Sequence, residues 1–224
     1  MEPLRQLQSS VVIENLGFLL QGLKLTVGVS VVTMALGLVV GLLIALARGS
    51  RYRLIGALAY LYTELFRTLP LLALLFWIYS SLPILTGITF TSFVSAVLAF
   101  ALTVSAHQAE IYRAGIMSIA PAQRQAALAL GMSNAQVMRR IVLPQTAARI
   151  LPVTGSLWIS LFKDSSLASI IAVHELMFQG RVLAANLFRP IEILTTVAVI
   201  YVIALYPQAQ LVNFLYRRFM PDGG

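Results

Sequence analysis

An all-α, polytopic integral membrane protein with five membrane-spanning helices is the fold class this sequence predicts, and three observations carry that prediction. Of the 224 residues, 59% are hydrophobic and only 11% charged, with a mean hydropathy of +0.87, whereas a soluble domain carries about a quarter charged residues. The apolar residues fall in long runs rather than in the ~10-residue alternating segments of a membrane β-barrel. Those runs are also long enough, since a hydrocarbon core about 30 Å thick takes roughly 20 apolar residues in a helix.

The spans follow in order. Leu25–Ala47 contains no charge and ends in Arg48, Arg51 and Arg53, which places the first span at about 22–47. Thr68–Ala109 is uncharged throughout and too long for one helix, and Pro83 and Gly87 punctuate a turn inside it. It predicts two spans, at about 64–82 and 93–115, with Leu54–Tyr62 as an interfacial lead-in. A basic, alanine-rich loop, 118–149, comes next. The fourth span, about 150–173, carries Lys163 and Asp164; a polar loop, His174–Pro190, leads to the fifth at about 191–216, which ends in Arg217 and Arg218. Residues 1–224 are read as a single membrane domain.

Charge and composition exclude several functions. Cysteine is absent, which removes disulfide, zinc–thiolate and thiol chemistry. The net charge of +8 is better explained by arginines flanking apolar segments, where they orient a chain in the bilayer, than by nucleic-acid binding. Met1–Gln21, with Glu2, Arg5 and Glu14, lacks the basic region and apolar run of a cleavable signal peptide. Arginines concentrate after spans one, three and five, while the other side holds Arg5, Lys24, Arg181 and Arg189, partly offset by Glu2, Glu14 and Glu175. Basic loops stay in the cytoplasm, so the N-terminus is expected outside, the C-terminus inside, and 118–149 becomes the largest cytoplasmic loop.

Within that loop, Pro121 suits a first helical position and Ala122–Leu130 are strong helix formers. Gly131 can take the left-handed conformation that stops a helix. Ser133 is a good N-cap for a second short helix, Asn134–Ile141. Pro144 is expected to end it and to give span four a kinked start. Two short helices around a glycine suit docking into a groove of another protein. On periodicity alone, a loop resting on lipid headgroups stays equally open.

Ionisable residues at membrane depth face an interior or a cavity. Glu64 with Arg67, and Glu110 with Arg113, are three residues apart and are expected to pair along one helix face. Lys163 and Asp164 are neighbours, pointing about 100° apart on a helix, so each needs another partner. Asp164, followed by Ser165 and Ser166 and near mid-span, is a candidate to meet a ligand ammonium or a neighbouring cation, with structural pairing equally open. Lys163 and Glu110 complete the candidate substrate pathway. His107 is read as a packed helix residue, and Trp77 and Trp158 as packing or interface anchors. Gly37 and Gly41 form a small-xxx-small pair that permits close helix approach.

The loop resembles a known signature. Gln125-Ala126-Ala127, then Gly131, then Ile141, Leu143 and Pro144 match the spacing of the cytoplasmic signature of ABC-importer permeases: Glu-Ala-Ala, three residues, Gly, nine residues, Ile, one residue, Leu-Pro. The likeness narrows to permeases of the polar amino acid (histidine/glutamine/arginine-type) uptake family. Phe66-Arg67-Thr68-Leu69-Pro70-Leu71-Leu72, Glu110-Ile111-Tyr112-Arg113-Ala114-Gly115-Ile116 and Lys163-Asp164-Ser165-Ser166-Leu167 are each similar to segments of that family. Two positions depart: Gln125 stands where the family has glutamate, and Ala122 where it has glycine. Gln125 keeps size and hydrogen bonding but loses charge.

The resemblance implies a type I ABC importer permease-like fold in the bacterial inner membrane. It also implies a non-enzymatic subunit that forms the translocation pathway. Its partners would be an ABC ATPase dimer docked through Gln125, Ala126, Ala127, Gly131, Ile141, Leu143 and Pro144, a second permease subunit and an extracytoplasmic solute-binding protein. No Gly-x-x-x-x-Gly-Lys-Ser/Thr phosphate loop occurs in the chain, so ATP is expected on the partner and no cofactor or metal on this chain. Polar or charged amino acids, or related small solutes, are the implied cargo. An ion-coupled secondary transporter using Glu110 and Asp164 is the alternative; it has few spans to work with and leaves the loop unexplained. An intramembrane enzyme fits worse, with only His107 and His174 and no metal-ligand cluster.

Overall fold

The computed structural model describes residues 9–219, with side chains described from residue 13. Glu2 and Arg5, which entered the charge count, lie outside the described residues. Helix α1 (Ser9–Arg48) is unbroken and starts well before the first predicted span. Helix α2 (Arg53–Thr68) occupies the stretch expected to be an interfacial lead-in and the first turns of span two. Leu69 and Pro70 are both extended, because a proline pushes the residue before it out of the helical region. The predicted 64–82 helix is therefore split at Pro70, and α3 (Leu71–Thr86) follows. Gly87 closes α3 with φ +73°.

Helix α4 (Ser92–Met117) agrees with the third predicted span. Short α5 (Pro121–Ala129) precedes the long α6 (Asn134–Ile171), whose last turns, Ser165–Ile171, tighten into 3-10 geometry. Helix α7 (Leu176–Leu187) stands where a polar loop was expected, and α8 (Pro190–Phe219) forms the last span.

Two prolines read as helix ends lie inside helices instead, for a shared reason. Pro83 and Pro144 each stand two residues after a π turn, Trp77–Ser81 and Met138–Val142. There the Leu82 and Leu143 amides bond back five residues, to the Trp77 and Met138 carbonyls. A helical proline removes one hydrogen bond and crowds the carbonyl four residues back. Those carbonyls, on Tyr79 and Arg140, lie in the widened turn, which relieves the crowding.

Helices α1, α4 and α8 are long and apolar enough to cross a membrane; α2 with α3 and α6 with α7, counted as bent pairs, bring the number to five. Val39, Leu43 and Leu46 on α1, and Val199, Val202, Ile203 and Phe214 on α8, are exposed, as lipid-facing surfaces require.

The chain divides into two units. The first comprises the residues up to Met34, Pro70–Phe100 and Ile159–Gln208. Its core joins Leu19 of α1, Leu176 and Leu183 of α7, and Ile193 and Val197 of α8. The second comprises Ala35–Leu69, Ala101–Trp158 and the residues from Ala209 on. Here the Gly37/Gly41 pair does what its spacing predicts: a Cβ at Gly37 would fall 2.4 Å from Val104 Cγ1, and one at Gly41 2.9 Å from the Ser105 carbonyl, so α1 lies hard against α4. Gly115 of α4 meets α6 in the same way, 2.3 Å from Ile150 Cγ2.

Candidate functional site

Loop 118–149 is a folded element of the second unit. Gly131 takes φ +81° between its two helices, the left-handed geometry expected of it. The Ser133 hydroxyl accepts the Gln136 amide at 3.3 Å, and Gln136 Oε1 accepts the Ser133 amide at 2.8 Å, which together form a full capping box. Ile119, Ala127, Val137 and Val142 bury one another, with Ile116, Met132 and Ile141 packed against them. Of the seven signature positions, Ala127 is buried and Ile141 half-buried; Gln125, Ala126, Gly131, Leu143 and Pro144 are exposed. Among the described residues the Gln125 side chain has no hydrogen-bond partner, and Leu128, Leu130 and Met138 of the same loop present apolar side chains to the outside. Pro144 does not end the second helix, which runs on through the π turn into span four.

Both helices of the loop are tied to the end of α4. A helix terminus leaves carbonyls without partners. Here Arg124 Nη2 donates to the Ile116 carbonyl at 3.0 Å, Arg149 Nη1 to the Ser118 carbonyl at 2.6 Å, and the Ser118 and Thr146 hydroxyls to the Gly115 carbonyl at 2.7 and 3.5 Å. A Gln145–Gln123 bond of 3.0 Å joins α6 to α5.

The expected local ion pairs are present. Glu64 and Arg67 approach to 3.6 Å. Glu110 accepts from Arg113 Nε at 3.0 and 3.1 Å and from its Nη2. Arg48 at the end of α1 adds a contact of 2.6 Å to the same carboxylate. Sequence spacing did not reveal Arg48, because 62 residues separate it from Glu110. Glu110 therefore belongs to an arginine–glutamate–arginine cluster in the second unit, while Lys163, Asp164, Ser165 and Ser166 lie in the first.

Asp164 closes the α-helical part of α6 rather than sitting at mid-helix. Lys163 and Asp164 are exposed, Ser166 is half-buried and Ser165 is fully buried, its hydroxyl donating to the Phe162 carbonyl at 2.8 Å. The 3-10 turn that follows packs against Leu71–Phe76 of α3. His107 is half-buried, its Nδ1 2.9 Å from the Thr103 carbonyl, and Trp77 is exposed.

One polar centre escaped sequence reasoning. Glu175, fully buried, N-caps α7. Its oxygens accept the Phe178 amide at 2.8 Å, the Met177 amide at 3.0 Å and the Tyr201 hydroxyl at 2.9 Å, and Thr26 Oγ1 lies 3.4 Å away. The Thr26 hydroxyl in turn accepts the Leu176 amide at 3.1 Å. One carboxylate thus joins α1, α7 and α8. Glu175→Ala would leave these buried donors unpaired and is expected to destabilise the purified protein by about 3 kcal/mol. Glu175→Gln, which keeps one acceptor, is expected to lose less than half as much in thermal unfolding in detergent.

Helices that cross the membrane several times, with a folded helical loop between the third and fourth, define a multi-pass membrane protein. Comparison with known proteins places it. A family model described as the binding-protein-dependent transport system inner membrane component matches residues 37–222. The glutamine transport system permease protein GlnP of Escherichia coli (strain K12) is 36% identical over 201 residues, covering 89% of this chain and 92% of GlnP. The arginine transport system permease protein ArtQ of Bacillus subtilis (strain 168) is 33% identical over 195 residues, covering 87% and 89%. A crystal structure of an amino acid ABC transporter with histidines superposes with a TM-score of 0.88 at 32% identity, over 92% of this chain and 96% of that one. The chain belongs to the family of binding-protein-dependent transport system inner membrane components, as an ABC-importer permease subunit. These relatives do not favour the ion-coupled alternative.

Proposed function

We propose that this chain lines the pathway of an ATP-driven importer for polar or charged amino acids or related small solutes, and that loop 118–149 docks a separate ATPase. The observation that carries this reading is the loop itself: a self-supporting helix–glycine–helix unit with its own core, an outward apolar face and both helices tied to α4. GlnP, ArtQ and the structural neighbour support the cargo class. The chain hydrolyses no ATP in this scheme. It works with an ABC ATPase dimer, a second permease subunit, identical or homologous, and a solute-binding protein outside. The arginine distribution supports an external N-terminus and a cytoplasmic C-terminus, which puts the loop on the ATPase side. Asp164, Lys163, Ser165 and Ser166 are the proposed pathway residues of the first unit and Glu110 that of the second; the arginines on Glu110 favour a structural part in its case.

The test is uptake by proteoliposomes that hold the assembled complex. Uptake is expected to stop when ATP is withdrawn with the ion gradient maintained; uptake that follows the gradient ends this reading. In the same assay Asp164→Asn is expected to reduce uptake at least tenfold, the effect of losing a hydrogen bond to a charged group, while the ATPase still co-purifies. Loss of the ATPase along with uptake would make Asp164 a structural residue.

A further inference from the structure

The end of α1, the end of α4 and the part of α6 that begins at Leu143 enclose a groove of about 420 Å³ on the second unit. Leu42, Leu46, Ile116, Ala147 and Ile150 line its apolar walls, and Arg48 and Arg113 also face it. Two arginines share one glutamate there, which leaves this group at +1. Arg113 keeps donor capacity, because among the described residues its Nη1 meets only the Met117 thioether, a weak acceptor. Arg51 follows in the next connection and Arg53 opens α2, and Arg139 and Arg140 are exposed on the π turn just before Leu143. Helix ends that carry this many arginines lie at a membrane surface. An apolar slot at that depth with a cationic mouth has the composition of a lipid site, with acyl chain below and phosphate above.

We propose that this groove holds one anionic phospholipid, its acyl chain against Leu42, Leu46 and Ile150 and its headgroup phosphate against Arg48 and Arg113. A zwitterionic lipid brings an ammonium that cancels its phosphate, so the positive mouth selects against it. Lipid binding here depends on membrane placement and not on the transported solute.

Native mass spectrometry of the detergent-purified complex, incubated with equal amounts of phosphatidylglycerol and phosphatidylethanolamine, tests it. The wild type is expected to retain one phosphatidylglycerol per chain, about fivefold over phosphatidylethanolamine for each arginine engaged. Ala147→Trp puts a large side chain on the groove wall while keeping both arginines in the sequence, and is expected to abolish retention. Arg48→Gln leaves Glu110 paired with Arg113 and is expected to lower the preference about fivefold; it decides alone if Ala147→Trp does not fold. Equal retention of both lipids by the wild type, or undiminished retention in the variants, overturns the proposal. So does retention by the isolated chain that vanishes on assembly, since the groove is then a contact between subunits.

Discussion

Gly41→Leu is expected to prevent stable packing of the second unit. A Cβ at this position would lie 2.9 Å from both the Ser105 carbonyl and Gln108 Cβ, and 3.2 Å from the Ala109 amide. Two of these are backbone atoms of α4, which cannot rotate away as a side chain can. Relief requires α1 and α4 to separate, opening voids along the contact that Gly37 also makes. Overpacking of this kind costs about 3 kcal/mol or more. Helix α1 contains its own control: a Cβ at Gly28 meets nothing within 4 Å, so Gly28→Leu is expected to change stability by no more than about 1 kcal/mol, the scale of the helix-propensity gain. Thermal unfolding of the two variants in one detergent checks the pair. Similar midpoints would mean that the α1–α4 contact is not as tight as the glycine geometry requires.

The second large effect concerns the loop. Ala127 is 3% exposed at the centre of the cluster formed with Ile119, Val137 and Val142. A carboxylate there has no partner and must either unfold the loop or push α5 off it, at a cost of several kcal/mol. Ala127→Glu is therefore expected to cut ATP-driven uptake by more than tenfold and to strip the ATPase from the purified complex. Gln125→Glu, two residues away, restores the charge typical of the family at an exposed position. It is expected to leave the loop folded and uptake within about twofold, the range of a surface charge pair. Coupling that survives Ala127→Glu would rule out docking through this loop.

What could be read from sequence was what depends on neighbours in the chain. The long uncharged runs, the left-handed Gly131, the Ser133 cap and the small-residue pair Gly37/Gly41 each follow from a few adjacent residues, and the structure agrees with them. The proline readings depend on what precedes the proline. Pro70 follows a residue forced out of the helix and breaks it, whereas Pro83 and Pro144 follow π turns and do not. A π turn has no strong local signature, so the three prolines look alike in sequence. The polar stretch after His174 looked like a loop because its charges were counted as solvent-exposed, yet Glu175 is buried as the cap of α7. Its partners Thr26 and Tyr201 come from the two ends of the chain, so only the folded structure brings them together. Arg48 was legible as an orienting charge but not as a partner of Glu110, for the same reason.

The hydrogen bonds that fasten loop 118–149 to α4 also bear on its mechanical compliance. A loop hung on flexible joints absorbs a push at its tip by bending, and little displacement reaches the bilayer. Here Arg124 anchors α5, and Thr146 and Arg149 anchor the start of span four, on three carbonyls at the end of α4, those of Gly115, Ile116 and Ser118. A load applied to the exposed face around Leu128 is thus held by anchors on both sides of Gly131. It enters α4 and α6 as two struts braced at a common foot, and both are obliged to tilt together.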